Sequence, residues 1–402
     1  MTWVDAAIGS PYGVRNLPYG VFRHAGRAPR IGVRIADFVL DLDGAEAAGL
    51  ILAGDALREP TLNALMALGQ PQWGAVRHRI VELLTEAEHE AAVRPLLIPL
   101  AEVELVLPIE VGDYVDFYSS EHHASNVGQI FRPGQPALLP NWKHLPIGYH
   151  GRAGTVVVSG TPVVRPCGQR PTGEGQPIYG PSARLDIEAE VGFVVGLPTE
   201  LGDRVPVEEF RSYVFGVVLV NDWSARDIQA WEYQPLGPFL GKSFATSVSP
   251  WVVPLDALAD AWVPGPDQDP PVLDYLRDVP HLGLDLRLAV DWNGHRVSEP
   301  PFATMYWTPA QQLAHLTVNG AALRTGDLFA SGTVSGQRRD QVGSFLELSW
   351  GGREPVTLAD GGTRTFLDDG DTVTISATAP GPDGTTIGLG EVTGTVLPAR
   401  VG

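Results

Sequence analysis

One short segment limits most strongly what this chain can fold into. Residues 185–195, LDIEAEVGFVV, alternate acidic and apolar side chains. Because side chains along a β-strand alternate between its faces, Asp186, Glu188 and Glu190 would share one face. Neighbouring carboxylates would stand about 6.6 Å apart along the backbone, and their repulsion would be roughly 2.5 kcal/mol per pair at an effective dielectric of ~20. Such a face is either exposed, where water screens the charges, or buried, where a cation must balance them.

Glycine and proline are frequent enough to keep regular elements short. The chain has 46 glycines and 35 prolines in 402 residues, which is about 20% against ~12% in an average protein. No internal repeat accompanies them, so we expect many turns between short strands. A hydrophobic content of 44% is typical of a globular protein. No G-x-G-x-x-G follows a strand-like segment, so nothing favours a dinucleotide-binding fold.

The pattern along the chain predicts a mainly β protein with minor α content and two domains. Residues 17–42 are strand-like, whereas 73–92 carry apolar residues at helical spacing. Short strand-like segments dominate after residue 108, among them TVVVSGTPVV, SYVFGVVLVND, LDLRLAVDWNG, SFLELSW and DTVTISATAP. We therefore predict an N-terminal domain at 1–107 and a larger domain at 108–402.

Charge limits the possible binding partners, and cysteine content indicates the cellular compartment. The net charge of −19 makes nucleic acid and anionic membrane surfaces poor partners. The single cysteine, Cys167, excludes an internal disulfide framework and suits a reducing compartment. The first residues, MTWVDAAIGS, lack the features of a signal peptide, and the longest apolar run, 213–220, is too short to span a bilayer. We expect a cytoplasmic protein.

A second informative segment is 213–233, YVFGVVLVNDWSARDIQAWEY. Its apolar strand would end at Asp222, and a helix would then begin, with Ser224 and Asp227 spaced as in a capping box. One face of that helix would carry three polar side chains: Arg226, Gln229 and Tyr233. These are either a donor array for an oxygen-rich ligand or a polar surface.

A third segment, 113–132, combines acidic, aromatic and basic side chains. Asp116 and Tyr118 would share a strand face, and the adjacent pair His122 and His123 would follow in a loop before Arg132. Histidine is easily poised as a general base near neutral pH. A structural role is the alternative for either histidine, and the pair leaves open which one matters.

Several familiar catalytic motifs are absent. The Gly-Lys-Ser at 241–243 lacks the spacing of a phosphate loop, and Ser335 in GTVSG lies one position away from a nucleophile elbow. HExxH and CxxC do not occur. The remaining candidates are four carboxylates: Asp116, Glu188, Glu190 and Asp222. Oxygen ligands without thiols select a hard cation, Mg²⁺ or Ca²⁺.

Long strings throughout the chain closely resemble the fumarylacetoacetase family. The matching strings are NLPYGVF at 16–22, GDYVDFYSSEHHASNVG at 112–128, LPNWKHLPIGYHGRAGTVVVSGTP at 139–162, NDWSARDIQAWEYQPLGPFLGKSFATSVSPWVVP at 221–254, MYWTPAQQLAHLTVNGAALRTGDLFASGTVSG at 305–336 and GSFLELSW at 343–350. The resemblance implies an SH3-like N-terminal barrel, a C-terminal β-roll and a homodimer. It also implies hydrolysis of 4-fumarylacetoacetate to fumarate and acetoacetate, the final step of tyrosine and phenylalanine breakdown.

The resemblance further implies residue roles. The four carboxylates would bind the metal, and a second cation would lie near Asp222, Lys242 and Thr246, with Lys242 contributing its carbonyl oxygen. His123 would be the proton acceptor, oriented by Glu347 on a strand. Oxyanion stabilisation would come from Arg226, Gln229 and Lys242. The residues expected to contact substrate are Tyr118, Arg132, Tyr149, Gln229, Tyr233 and Thr333.

Two positions depart from the family pattern, and two other functions compete. His122 is an additional candidate base, and Ala245 stands where the family usually has glycine, a change that would shift the backbone near Lys242 and Thr246. One competing function is hydrolysis of an acylpyruvate or another β-diketone, although such relatives are usually shorter. The other is a metal-binding homologue that has lost catalysis, against which His123, Glu347 and Lys242 all persist.

Overall fold

The predicted mainly β architecture is confirmed. The computed structural model describes residues 2–172, 175–358 and 361–400. Most strands are short and separated by turns, as the glycine and proline content predicts. The α-helices of these ranges are Leu42–Ala47, Asn63–Met66, Gln70–Thr85, Glu90–Val93, Glu121–Phe131, Phe210–Tyr213, Arg226–Glu232, Pro309–Thr317 and Phe345–Leu348. None of the described helices is long and apolar enough to cross a membrane.

A 13-stranded sheet runs through most of the chain. Its N-terminal strands are Tyr19–His24, Arg30–Ile35, Phe38–Asp41, Leu97–Pro99 and Val103–Val106. Its later strands are Tyr114–Phe117, Gly148–His150, Val156–Val158, Ala189–Val195, Val214–Asp222, Thr246–Val248, Trp251–Pro254 and Leu328–Ala330. The two groups join where Tyr19 pairs with Val252 in antiparallel register. The sheet therefore crosses residue 108, and the division into domains at 1–107 and 108–402 stays a prediction.

A second sheet and four two-stranded pairs complete the β structure of the described ranges. The second sheet contains Val163–Val164, Arg287–Trp292, His295–Ser298, Thr372–Pro380 and Thr386–Leu397. The two-stranded pairs are Cys167–Arg170 with Ile178–Pro181, Leu185–Asp186 with Ser224–Ala225, Trp262–Pro264 with Leu282–Leu284, and Val356–Thr357 with Thr363–Arg364.

The strand Val214–Asp222 lies at the centre of the large sheet and is buried on both faces. Val217 and Leu219 belong to one hydrophobic cluster, whereas Val218 and Val220 belong to another. This is why the segment is continuously apolar instead of alternating. A polar residue at the end of such a strand, as at Asp222, is held in the protein interior.

Pairing within the large sheet brings acidic positions together. Glu190 lies opposite Val220, two residues before Asp222. The strand Leu328–Ala330 follows on the other side of Ala189–Val195, and Asp116 lies opposite Ala330 on the next, parallel strand. Acidic residues distant in sequence are therefore carried on nearby strands of one sheet.

The predicted strand 185–195 is wrong as a single element. Leu185–Asp186 pairs with Ser224–Ala225, whereas Ala189–Val195 pairs with Val214–Asp222. The chain passes from one partner to the other at residues 187–188, where ladder pairing is interrupted. Strict alternation of faces consequently does not extend from Asp186 to Glu190.

Three other local predictions were also wrong. His122 and His123 lie in the helix Glu121–Phe131 and not in a loop, because Ser120 caps that helix by accepting a hydrogen bond from the His123 amide at 3.1 Å. Glu347 lies on the short helix Phe345–Leu348 and not on a strand. Ser224 does not cap the helix Arg226–Glu232, since it lies in a strand and its hydroxyl donates to the Asp222 carbonyl at 3.0 Å.

The helix predicted at 73–92 spans Gln70–Thr85, with a short break before Glu90–Val93. Trp73 on this helix is buried and packs edge-on against Phe215, with ring centroids 5.3 Å apart. Its indole nitrogen donates to the Met66 carbonyl at 2.9 Å. The contact attaches the N-terminal part of the chain to the central strand of the sheet.

Candidate active site

Four carboxylates converge in the interior. Asp116, Glu188, Glu190 and Asp222 each offer an oxygen within 4.8 Å of the others. All four side chains are buried, and Glu190 is completely inaccessible. The face bearing Glu188 and Glu190 is thus the buried alternative of the two that the sequence allows, which requires a balancing positive charge.

The cluster carries more negative charge than its neighbours compensate. Lys242 and Arg226 are the two cationic side chains of Lys or Arg type that form ion pairs with it in the described ranges. Four carboxylates against two cations leave at least two negative charges when all groups are ionised, since Arg226 also pairs with Asp186. Burial, and then the charge of the neighbouring acids, raises the pKa of Asp116 and of Glu190 well above its usual range.

Unpartnered oxygens support a cation at this place. Both Glu190 carboxylate oxygens and Asp116 Oδ1 are buried and have no hydrogen-bond partner within the described part of the chain. Leaving such atoms unsatisfied is costly. An all-oxygen set fits a hard divalent cation, and the excess of at least two negative charges fits its valence.

Lys242 lies against two of the acids. Its Nζ pairs with Glu188 Oε2 and lies 2.9 Å from Asp222 Oδ2. Although burial opposes the effect, the charges of Lys242 and Arg226 lower the pKa of Glu188. The ammonium group, and not the carbonyl, thus faces the acids, and a carbonyl contact to a second cation stays a prediction.

Asp222 also accepts hydrogen bonds from Thr246, its predicted neighbour, and from Tyr149, a predicted substrate contact. Thr246 Oγ1 donates to Asp222 Oδ1 at 2.7 Å, and the Tyr149 hydroxyl donates to Asp222 Oδ2 at 3.1 Å. A cavity of about 150 Å³ lies beside these residues and is lined by Tyr114, Phe239 and Lys242, among others. Asp222 therefore accepts the most hydrogen bonds of the four acids, and it lines this cavity.

Arg226 bridges the acidic cluster to Asp186. Its Nη2 lies 2.9 Å from Glu188 Oε1, and its Nε donates to Asp186 Oδ2 at 2.8 Å. Asp186 also accepts from the amides of Phe345 and Leu346, at 2.7 and 3.0 Å. Asp186 is outside the four-carboxylate cluster, and its function is to hold Arg226 and the start of the helix that bears Glu347.

His123 and Glu347 form a buried pair beside the cluster. His123 Nδ1 lies 2.7 Å from Glu347 Oε2, and His123 Nε2 lies 3.9 Å from Glu188 Oε1. The Tyr118 ring packs edge-on against the His123 ring, with centroids 5.4 Å apart. Glu347 can thus orient the imidazole while the second ring nitrogen faces the acids. His122, by contrast, is only partly buried.

The other predicted site residues differ in whether they contact the carboxylate cluster and its partners. Gln229 Oε1 accepts from Arg226 Nη1 at 3.1 Å. Thr333 is buried, and its hydroxyl has no partner among the residues described. Arg132 is half-buried and donates to the Ala137 carbonyl at 3.1 Å, and Tyr233 is 38% exposed and accepts from Gln234. No described hydrogen bond or ion pair joins these last two to the carboxylates.

The sequence interpretation missed four residues that support the site. Asp186 was placed on the strand face of Glu188 and Glu190 but given no role, and nothing was predicted for Asn126, Ser335 and Ser344, which surround Glu347. Polar residues of this kind are common in turns and caps, so they give no signal in one sequence. A partial signal existed for Ser335, since it lies in GTVSG within a matched family string.

Models of known families match two consecutive parts of the chain. The fumarylacetoacetase N-terminal model matches residues 15–108, and the fumarylacetoacetate hydrolase C-terminal model matches residues 114–397. The chain belongs to the fumarylacetoacetase family. Curated fumarylacetoacetases resemble it along their full length. The human protein is 48% identical over 99% of both chains, that of Caenorhabditis elegans is 48% identical over 100% of both, and that of rice is 45% identical over 99% of this chain and 97% of its own.

Solved structures share the fumarylacetoacetase-family fold at lower sequence identity. A fumarylacetoacetate hydrolase from Exiguobacterium antarcticum aligns with a TM-score of 0.57 and 17% identity, covering 96% of this chain and all of that one. A maleylpyruvate hydrolase from Sphingobium aligns with a TM-score of 0.53 and 18% identity, covering 95% and 100%. At these identities the likeness concerns the fold alone.

Proposed function

We propose that this chain hydrolyses a carbon–carbon bond of 4-fumarylacetoacetate and releases fumarate and acetoacetate. The observation that carries this proposal is the full-length similarity to proteins named fumarylacetoacetase, at 42–48% identity across animals, plants and an amoeba. A short or partial match would leave the substrate open, whereas here both the N-terminal and the C-terminal models are matched. The reaction is the final step of tyrosine and phenylalanine catabolism.

The proposed cofactor is one divalent cation, Mg²⁺ or Ca²⁺, held by Asp116, Glu188, Glu190 and Asp222. The buried oxygens without partners and the excess negative charge support this assignment. When bound, such a cation supplies Lewis acidity that polarises a substrate carbonyl. Residues near Asp222, including Lys242 and Thr246, are the proposed neighbours of a second cation.

His123 is the proposed general base. With Nδ1 held by Glu347, its Nε2 can take a proton from the water that attacks the carbonyl carbon. The carbon–carbon bond then breaks, its electron pair leaves as the enolate of acetoacetate, and the proton on Nε2 can return to that carbon. General base catalysis of this kind typically contributes about 10²–10⁴-fold.

Three side chains are proposed to stabilise the negative oxygen formed during attack. Arg226 and Lys242 are buried cations beside Glu188. Gln229 uses its carbonyl oxygen to accept from Arg226, which leaves its NH₂ group to donate. One well-placed donor is worth roughly 3 kcal/mol in the transition state.

The proposed substrate contacts are Tyr118, Arg132, Tyr149, Gln229, Tyr233 and Thr333. Arg132 would pair with a substrate carboxylate, to which a planar guanidinium binds well. We also propose a homodimer in the cytoplasm, with an SH3-like domain at 1–107 and a catalytic domain at 108–402. The five short N-terminal strands and the separate family matches support this division.

A substrate panel tests the proposal. The purified protein with Mg²⁺ or Ca²⁺ is mixed with 4-fumarylacetoacetate and, separately, with an acylpyruvate, and loss of the diketone absorbance is followed. We expect rapid cleavage of fumarylacetoacetate and loss of that activity after chelation. Cleavage of the acylpyruvate alone would make this chain a different β-diketone hydrolase, and no cleavage of either would indicate a homologue without catalytic activity.

A further inference from the structure

The carboxylate of Glu347 is surrounded by hydrogen-bond donors from three parts of the chain. Besides His123 Nδ1, Oε2 accepts from Ser344 Oγ at 2.7 Å and Ser335 Oγ at 3.0 Å. Oε1 accepts from Asn126 Nδ2 at 2.9 Å. The Glu347 side chain is fully buried, and among the described ion pairs it has His123 as its only basic partner. Neutral donors therefore provide most of its solvation.

Three of these donors meet at Oε2 and leave no position for a proton on that oxygen. An ionised carboxylate has about four lone-pair sites and no hydrogen to donate. The hydroxyls of Ser335 and Ser344 also accept backbone amides, from Gly343 at 3.1 Å and from Glu347 at 3.3 Å, so their own hydrogens are free to point at the carboxylate. Oε2 has two lone pairs and already accepts from two serine hydroxyls, so it has no room for a hydrogen of its own directed at His123, and the hydrogen on the His123 contact must belong to Nδ1. Nε2 is then the nitrogen with the lone pair.

Ser335 is connected to both members of the pair. Its hydroxyl donates to Glu347, and its carbonyl oxygen accepts from the Ser120 hydroxyl at 3.1 Å. Ser120 in turn caps the helix that carries His123. A shift of Ser335 would therefore move the orienting acid and the histidine helix relative to each other.

We propose that Ser335, Asn126 and Ser344 are positioning residues that fix Glu347 and, through it, the tautomer of His123. This inference rests on the proposed function, in which Nε2 takes a proton from water. None of the three residues needs to touch substrate, because each acts through its hydrogen bond to the Glu347 carboxylate. Ser335 is the central member, since it alone contacts Glu347 and the cap of the His123 helix.

A double-mutant cycle measures this role. Ser335→Ala is compared with Ser249→Ala, which removes an equally buried hydroxyl that contacts the Leu389 carbonyl instead. We expect Ser335→Ala to lower kcat on the order of ten-fold with KM unchanged, the scale for losing an outer partner of a site residue, and Ser249→Ala to leave kcat unchanged. In a Glu347→Ala background, Ser335→Ala should cause no further loss. An equal fold-loss in both backgrounds would overturn the proposal.

Asn126→Ala provides a second test of the positioning role. Because Asn126 is only partly buried, the fold should tolerate its replacement more easily. The same pattern is expected: a lower kcat in the wild-type background and no additional loss once Glu347 is absent. If both variants fold and retain full kcat, the donor set has no positioning role.

Nitrogen-15 NMR of histidine reads the tautomer without any substrate. The His123 signals, identified by their absence in His123→Ala, should show Nδ1–H in the wild type and a mixture in Ser335→Ala and Asn126→Ala. Ser249→Ala should match the wild type. An Nε2–H tautomer in the wild type would overturn the inference. If instead the wild type shows the expected tautomer but does not cleave fumarylacetoacetate, the proposed function fails and the positioning role stands.

Discussion

Replacing Glu190 with glutamine should make the metal-free protein more stable than the wild type. The same change should remove most of the stabilisation that a bound metal ion provides. Glu190 is fully inaccessible, and neither of its oxygens has a partner in the described ranges. Burial and the charges of Asp116, Glu188 and Asp222 raise its pKa well above the ordinary range. Glutamine keeps the shape of the protonated side chain but carries no charge, so it removes the repulsion and also the ligand.

The size of the effect follows from the geometry. At the largest separation within the cluster, 4.8 Å, two unit charges repel by about 3.5 kcal/mol at an effective dielectric of 20. Three such pairs act on an ionised Glu190, and Lys242 offsets about one. Protonation limits the cost, because taking up a proton at pH 8 by a group with an ordinary value of 4.5 costs at most about 5 kcal/mol. The expected gain at pH 8 is therefore up to about 5 kcal/mol.

The sign of the pH dependence separates this explanation from a packing effect. Because the folded, metal-free state holds a proton on Glu190 that the unfolded state releases, the contribution of Glu190 to wild-type stability is most favourable below pH 4.5. It falls as the pH rises from there towards the raised folded pKa. The contribution of Glu190 to this fall should be absent in Glu190→Gln. The advantage of the variant should thus be small at pH 5 and large at pH 8.

Urea unfolding with a chelator and then with excess Mg²⁺ or Ca²⁺ provides the measurement. A cation at one hundred times its Kd should stabilise the wild type by about 2.7 kcal/mol, and most of this gain should be lost in Glu190→Gln. Glu88→Gln is the matched control, since Glu88 belongs to an exposed acidic group with Glu86 and His89. Equal stability of wild type and Glu190→Gln at pH 8 without metal would refute the argument.

Three further predictions concern other parts of the site. His123→Ala should lower kcat by about 10²–10⁴-fold while His122→Ala stays near the wild type, as followed by diketone absorbance; equal, full activity in both would reject His123 as the base. Lys242→Met should bind the divalent cation more tightly by calorimetry, because a buried positive charge is removed, yet turn over about 10²–10³-fold more slowly; weaker cation binding would contradict this. Asp186→Ala should lower the free energy of unfolding by roughly 3–5 kcal/mol because buried Arg226 loses a partner, and an unchanged denaturation midpoint would contradict that role.

The sequence was most informative where the chemistry required a particular residue type and least informative where backbone pairing decided the geometry. Buried acids need a cation whatever element carries them, so the grouping of Glu188, Glu190 and Asp222 could be reached from charge and apolar surroundings. The mainly β fold followed from turn-forming residues and short strands. The helices around His123 and Glu347 could not be predicted in the same way, because each begins at a serine cap whose effect depends on tertiary contacts.

Asp186 shows why the error about residues 185–195 matters for chemistry. On one continuous strand, Asp186 would have joined Glu188 and Glu190 at the cation and added another negative charge to it. The interruption at 187–188 directs Asp186 instead to Arg226 and to the amides that begin the Glu347 helix. Residues 186–190 thus provide two proposed metal ligands, Glu188 and Glu190. Through Asp186 they also hold Arg226 and the helix that bears Glu347. A shift of residues 186–190 would disturb cation binding and proton transfer together. Variants in this stretch should therefore lose metal affinity and kcat together. Variants of Ser335 should lower kcat alone.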